Sequence, residues 1–568
     1  MSDERKKVLE MLSEGKITVD DAERLIAALG ESDRQANQRS AATDSVDEEA
    51  TTDSVDEEAT IDLDGLESRI RSGVEGVRRT VSASMPQLKT AIRDASPDVE
   101  RIVEEATASI PGFIEEMTRT IRDTFGKSGY GGGDDDRFPA RVERDFTEEG
   151  PVEPGSQLKL HNTRGNLEVV TWDGDGMKAE VHLTVRSIDE PTAQRCADSV
   201  QLVQEPDGDR LVLRPVFPAG KEDASYRLDI RLHVPQSLRL DLHTRHGDLV
   251  VPEMQSDLVL GGDHGQLHLA GTAGAAAVQH NHGAVQVGRV GGTFALNANH
   301  SHLDMDEAVQ ETSINAHHGR IKLRRVGGDL IVNAHHAPFE SDEVHGSAVA
   351  NSHHGPLSLR QIMGNLKLNT NHGPVSLQEI AGNVSLSCDH GPVDIEKVGG
   401  ELSVQGSHCP LSFGAVSKSA VVRCNHGPVE IGPVGEDVTV ESDRSPVHIR
   451  GAGGRVNVRA SRGDVRIENP VGEVLAENSR ASIEILPGEA VRSAYTLSNN
   501  RGNVRVTLPE DSSVTVQGLV RRGHVDTDLP LEVTGNGQQG QVVSGTLGDG
   551  GPSLQVEIDR GSLSLRRS

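Results

Sequence analysis

The stretch LKLNTNHGPVSLQEIAGN, residues 366–383, is followed without a gap by VSLSCDHGPVDIEKVGGE, residues 384–401. The two segments are one pattern written twice, 18 residues apart. The histidine in that pattern recurs in unbroken register at His246, His264, His282, His300, His318, His336, His354, His372, His390, His408 and His426. The same column continues as Arg444, Arg462 and Arg480. Self-similarity at a fixed period of this length marks a chain wound into stacked coils.

Each column of the pattern assigns one position of a coil. The third residue from the histidine is apolar throughout, as in Leu249, Val375, Val393 and Ile483. The fifth is apolar from Val251 to Ile485, with Ser341 as its polar exception. Residues between them, such as Ser376, are mostly polar. That alternation predicts a strand with one buried face. A second strand follows, with inward columns through Leu366, Val384 and Leu402 and through Leu368, Leu386 and Val404. Two residues on, a column of small residues runs through Ala298, Ala316, Ala334, Ser352, Thr370, Cys388, Gly406 and Cys424. One turn carries glycine, as at Gly346, Gly364, Gly382 and Gly400; the other is the His-Gly-Pro corner, where glycine supplies a positive φ and proline begins a strand. The fold class expected is mainly β, a parallel β-solenoid of 18 residues per coil with a small α-helical N-terminal region. Coils stacked at roughly 4.8 Å would extend the repeat region by about 65 Å.

The chain has 568 residues, a net charge of −30 and only 2% aromatic residues. Such a charge excludes a nucleic-acid partner as the first expectation, because phosphate binding needs a basic face, and it leaves room for a cationic ligand. The four cysteines, Cys196, Cys388, Cys409 and Cys424, form no Cys-x-x-Cys pair. Cys388 and Cys424 stand two coils apart, too far for a disulfide, and packed thiols in a reducing compartment are expected. The opening MSDERKK leads into an amphipathic helix and not an apolar signal region, so the expected location is cytoplasmic, peripheral at the membrane at most.

Composition divides the chain into seven segments. Residues 1–30 read as two short helices, the second capped by Thr18; residues 31–60 are an acidic linker holding a tandem copy of TDSVDEEAT. Residues 61–125 regain helical periodicity and could touch a membrane surface or a partner. Residues 126–139 are a Gly/Asp hinge, 140–245 an N-terminal β cap with a short helix near Thr192 to Val200, 246–486 the regular solenoid, and 487–568 irregular C-terminal β coils. Atypical terminal units fit the need to cover an open sheet edge.

Two segments resemble known families. Leu12-Ser-Glu-Gly-Lys-Ile-Thr18 with Asp21-Ala22-Glu23 and Leu25 resembles the SHOCT-like two-helix domain. Arg164-Gly-Asn-Leu-Glu-Val169 with Trp172-Asp173, the His-Gly-Pro-Val units and the closing Arg560-Gly-Ser-Leu-Ser-Leu565 resemble the bacterial adhesin-like family of β-strand repeats, a domain of unknown function. Together, in this order, they are similar to bacterial cell-envelope stress proteins. The resemblance implies a scaffold or adhesin-like interaction protein.

The histidine column has two readings. As structure, it is a stack of planar side chains at a corner, comparable to Asn stacks in cross-β assemblies. As chemistry, closely spaced imidazoles could hold a divalent transition metal, best at the doublets His317-His318, His335-His336 and His353-His354. No other cofactor and no catalytic residue is indicated: there is no Gly-rich phosphate loop or serine elbow, and one tryptophan and three tyrosines are too few for the sugar platforms of a β-helical carbohydrate-active enzyme. The expected function is a non-enzymatic scaffold binding a protein partner through its N-terminal helices and solenoid face; a self-assembling filament former is the alternative. Closely spaced imidazoles should also resist protonation, so stability is expected to fall between about pH 7 and pH 5.

Overall fold

A computed structural model of the chain describes residues 138–153, 155–218, 224–536 and 540–568. The expected helices of residues 1–30 and 61–125, the linker at 31–60 and most of the hinge at 126–139 lie outside the described residues.

The 18-residue pattern becomes a parallel β-solenoid. The strand Leu366–His372 pairs in parallel with Val384–His390, matching Leu366 to Val384 and His372 to His390. In the same coil Val375–Ile380 pairs with Val393–Val398. The two strands of a coil therefore lie in different walls, and each wall grows by one strand per coil. Their side chains alternate: Leu366, Leu368 and Thr370 point inward from one wall, Val375 and Leu377 from the other. A further inward position breaks the alternation. Ile380 is buried after two exposed residues, and Val326, Val344, Ile362, Val398 and Val416 repeat it. This extra apolar residue turns the chain back across the core.

Side chains also bond along the stack. Asn351 Nδ2 donates to Asn333 Oδ1 at 2.8 Å, and Asn369 repeats the bond to Asn351 at 2.9 Å. At the glycine turn, Asn383 N donates to Asn365 Oδ1 at 2.9 Å and Glu401 N to Asn383 Oδ1 at 2.8 Å. These bonds satisfy turn amides that no strand partner reaches. Glycine is required here by close approach: a Cβ on Gly382 would lie 2.4 Å from Gly364 O. At the histidine corner the backbone is left-handed, with φ of 130° at Gly373 and 120° at Gly391. The positive φ falls on the histidine itself at His300 and His336, 55° and 54°, where Ser301 and Ala337 follow, and also at His282 and His318, 68° and 57°, where glycine follows.

The parallel stack does not begin at His246. Strands β1 (Ala140–Pro151), β2 (Gln157–Arg164), β3 (Leu167–Thr171) and β4 (Gly176–Ser187) precede helix α1 (Glu190–Ser199). Then come β5 (Gln201–Asp207), β6 (Arg210–Val216), β7 (Ala224–Val234), β8 (Arg239–His246) and β9 (Leu249–Met254). Strands β2 and β3 form a coil in register with β8 and β9, Leu160 facing Leu242 and Leu167 facing Leu249. Strands β6 and β7 then stack outside β2 and β3. Antiparallel strands finish that end: β5 on β6, β4 on β7, and β1 on β4. Helix α1, capped by Asp189 and placed where the short helix was expected, buries Ala193 and Ala197 completely.

The other end also departs from chain order. Ser553–Arg560 lies between Tyr495–Arg501 and Val514–Arg522, parallel to both. Leu563–Arg567 lies in the same way between Val504–Leu508 and Val525–Thr527. Gly540–Leu547 covers Val514–Arg522 in antiparallel fashion, and Glu532–Asn536 adds one more antiparallel strand.

Candidate functional site

The eleven histidines form one continuous exposed column along a corner of the solenoid. Consecutive ring centroids are 4.5 Å apart at His408–His426 and 5.1 Å at His282–His300. From His354 to His408 the rings are nearly coplanar in orientation, 1° at His354–His372 and at His372–His390 and 2° at His390–His408. The left-handed backbone at or just after every column histidine except His408 aims the ring outward, away from the small-residue column. The column faces solvent, and the small residues face the core.

The doublets build a second stack beside the first. His317 and His335 lie 4.7 Å apart, His335 and His353 4.2 Å, while His317 and His318 are tilted at 6.4 Å. Burial, and then the neighbouring imidazoles His353 and His317, push His335 down to about 4. Burial first, and neighbouring histidines next, also lower His317 and His354; at His246 burial leads and His264 follows. Within each stack the rings lie face to face, so their in-plane lone pairs run side by side and do not converge on one ion. Among the described residues, one ligand atom each from Asp389, His390 and His408 come within 4.8 Å of one another, all three exposed. That trio lies two coils beyond the last doublet, His353-His354.

The column is longer than its histidines. Arg164 pairs with His246, and His426 with Arg444. Arg462 and Arg480 sit two residues past the paired positions Ala460 and Asn478. Beyond them Arg501 and Arg560 pair, and Arg560 pairs with Arg522. The corner thus carries His or Arg in every coil from Arg164 to Arg522, even where coil order and chain order disagree. The Arg-Gly pairs at 164, 501, 522 and 560 were the signal for this; spacing alone hid it.

Two buried histidine sites escaped the sequence reading. His280 occupies the inward small-residue column at 1% exposure. Its Nδ1 shares a 2.9 Å hydrogen bond with Ser301 Oγ, and Gly262 leaves room for its ring: a Cβ there would lie 2.8 Å from His280 Cδ2. Burial pushes His280 down to about 4. His243 lies over Gly261, beside His161 and buried Asp241; burial and then His161 push it to about 4. Cys409 replaces the corner glycine and brings its thiol to Cys388, and with Cys424 the three are buried and free. The hydrogen bond with Cys409 and burial hold the Cys388 thiol far above its ordinary range.

Residues 3–34 match the SHOCT-like domain family. No curated protein matches the chain. Among solved structures, the chain is similar to a "putative cell adhesion protein" from Clostridium sporogenes at 8% identity, covering 75% of this chain and 100% of that one, with a TM-score of 0.13. It is similar to a "putative adhesin" from Parabacteroides distasonis at 13% identity, covering 57% and 96%, with a TM-score of 0.14. A "putative lipid binding protein" from the same organism shares 10% identity over 56% and 95%, with a TM-score of 0.12. At these values neither the names nor the superpositions bear on what this chain does.

Proposed function

We propose that the chain is a non-enzymatic interaction scaffold of the bacterial envelope-stress type. Its SHOCT-like N-terminus serves as the docking element, and the lateral surface of the solenoid carries the binding. The observation that carries this reading is that the stack is covered on both walls at its N-terminal end and on one wall at its C-terminal end. At one end the edge strand β1 presents Arg141, Glu143 and Asp145, charges that discourage further strand addition. At the other, antiparallel strands close one wall, and the second wall ends on a strand of only three residues, Val525–Thr527, too short to template a further coil well. A filament former would instead leave parallel edges open at both ends.

The wall carboxylates support a non-catalytic reading. Arg325 bridges Glu307 at 3.4 Å and Glu343 at 3.2 Å; Arg466 bonds Glu468 and Glu484, both at 2.7 Å. His345 and Arg325 hold Glu343 below its usual range, and Arg466 does the same for Glu468. A glycosidase acid needs the opposite shift.

The test is light scattering and electron microscopy of the full chain, alongside capture experiments with and without residues 1–125. Discrete particles, and a partner lost with residues 1–125, are expected. Filaments formed by the purified chain alone would overturn the scaffold reading.

A further inference from the structure

We propose that the Arg/His corner binds linear inorganic polyphosphate, with Arg444, Arg462, Arg480 and Arg501 as its permanent anchor and the histidines as an extension recruited in acid. This rests on the reading of the chain as an interaction protein and names a ligand for it.

The first observation is a contrast among arginines. On the walls they are paired across coils: Arg423 with Glu441 at 3.0 Å, Arg450 with Glu430 at 2.7 Å, Arg455 with Glu473 at 2.9 Å, Arg459 with Glu477 at 3.6 Å. Arg462, Arg480 and Arg501 are exposed and their guanidinium groups have no partner among the described residues. In a chain with 87 acidic and 57 basic residues, three successive unpaired arginines on one edge are not a by-product of composition. Their chain neighbours are Ser461, Gly463, Ser479, Ala481, Asn500 and Gly502, none of them acidic.

The second observation is that the arrangement survives disorder in the repeat. Arg164 faces His246 across a long insertion, and Arg560 takes its place between Arg501 and Arg522 out of chain order. The corner keeps a nitrogen donor where the sequence period has lapsed.

The chemistry of the edge selects the ligand. Guanidinium groups only donate, and protonated imidazoles only donate. Glycine and proline follow the histidine in most coils and add no side-chain polar group. An edge built this way suits a ligand that only accepts, an unbranched chain of phosphates with no hydroxyl or base to satisfy. A single-stranded nucleic acid would want aromatic stacking platforms. Tyr226 and Tyr495 are buried, and Trp172 sits at the N-terminal cap. Neutral imidazoles leave the anchor alone at high pH. An apposed polyanion favours their protonation, so binding and proton uptake are linked. The charged and titratable groups around the histidine column are Arg164, Arg245, Asp248, Asp263, His302, Arg320, Asp389, Asp443 and Arg444, whose guanidinium lies 3.1 Å from His426 Nε2, together with the second stack of His317, His335 and His353. Asp389, Asp443 and Asp559 interrupt the stripe locally, at 3.3 Å from His390, 3.7 Å from Arg444 and 2.8 Å from Arg522, which leaves Arg462, Arg480 and Arg501 as its unpaired part.

The experiment is calorimetric titration of the full chain with long-chain inorganic polyphosphate, in buffers of differing ionisation enthalpy. Binding about tenfold tighter at about pH 6 than at about pH 8, with net proton uptake, is expected. The variant R462A/R480A/R501A should lose about tenfold or more at about pH 8. The variant H246N/H264N/H282N should bind normally at about pH 8 and lose part of the gain and proton uptake at about pH 6. Circular dichroism of both variants confirms that the exposed substitutions leave the solenoid intact. Wild-type binding by the arginine variant, or no binding by the native chain at either pH, overturns the proposal. Equal binding of single-stranded DNA or of a sulfated polysaccharide overturns the choice of ligand. A partner still captured through residues 1–125 when polyphosphate fails would leave the scaffold reading standing.

Discussion

His280→Ala tests how an inward histidine couples the fold to pH. In the folded chain the ring is pushed down to about 4, against roughly 6.5 when unfolded. Below the unfolded value the unfolded chain binds the extra proton, so stability falls as pH drops and the loss is complete once pH passes below about 4. Between about pH 7.5 and pH 5 this one ring costs about 2 kcal/mol of stability, rising to about 3 kcal/mol below pH 4. Alanine matches Ala298 in the next coil, and Ser301 Oγ retains its bond to the His280 carbonyl at 3.1 Å. The variant should therefore lose about 1–3 kcal/mol at pH 7.5 from the space left over Gly262. Its further loss on going to pH 5 should be smaller than the native chain's by about 2 kcal/mol. Urea unfolding followed by the emission of the single tryptophan, Trp172, reads the N-terminal end, a few coils from His280. A local probe is needed because long repeat arrays lose all-or-none unfolding. An unchanged pH dependence in the variant would refute the assignment of that sensitivity to His280.

Other outcomes follow from the same geometry. Gly373→Ala forces a side chain into φ of 130° with its Cβ 2.3 Å from Gly355 O, so calorimetry should show a loss of about 2 kcal/mol or more. The exposed Met363→Ala should stay within about 0.5 kcal/mol in the same assay. Leu368→Ala, at 0% exposure, should cost about 2–5 kcal/mol in denaturant titration. A thiol reagent should label half-buried Cys196 first in the native chain, with Cys388, Cys409 and Cys424 reacting only on unfolding, as mass spectrometry would show.

The solenoid was legible because its inward strand columns stay apolar from Leu249 to Ile485 with the one exception of Ser341. A period reports neighbours only while chain order and coil order agree. It therefore missed the coil of β2 and β3, separated from β8 by the insertion β4 to β7, and the displaced strands after Leu508. The direction of the histidine column was not legible either. A corner residue can face in or out, and the column faces out whether the left-handed φ falls on the histidine, as at His300, or on the glycine after it, as at Gly373. His280 was hidden by its place two residues before a column histidine, where it reads as polar decoration. Its true signal was Gly262 one coil earlier, the vacancy that a buried ring requires. The pH expectation shifts accordingly, from exposed rings toward His280 and His243, where burial leads.

The displaced strands at the C-terminal end impose a schedule on assembly. Val514–Thr527 emerges from the ribosome before Ser553–Arg567, yet it rests on that later segment. Coil-by-coil winding can proceed only as far as Leu508; after that a seat must stay vacant until residues 553–567 arrive to fill it. Long-range closure of this kind is slow, and it exposes unpaired strand in the meantime. Removing Ser553–Ser568 would therefore take a course from within the wall and not its coping, leaving Val504–Leu508 bare and the outermost coil with nothing to stand on.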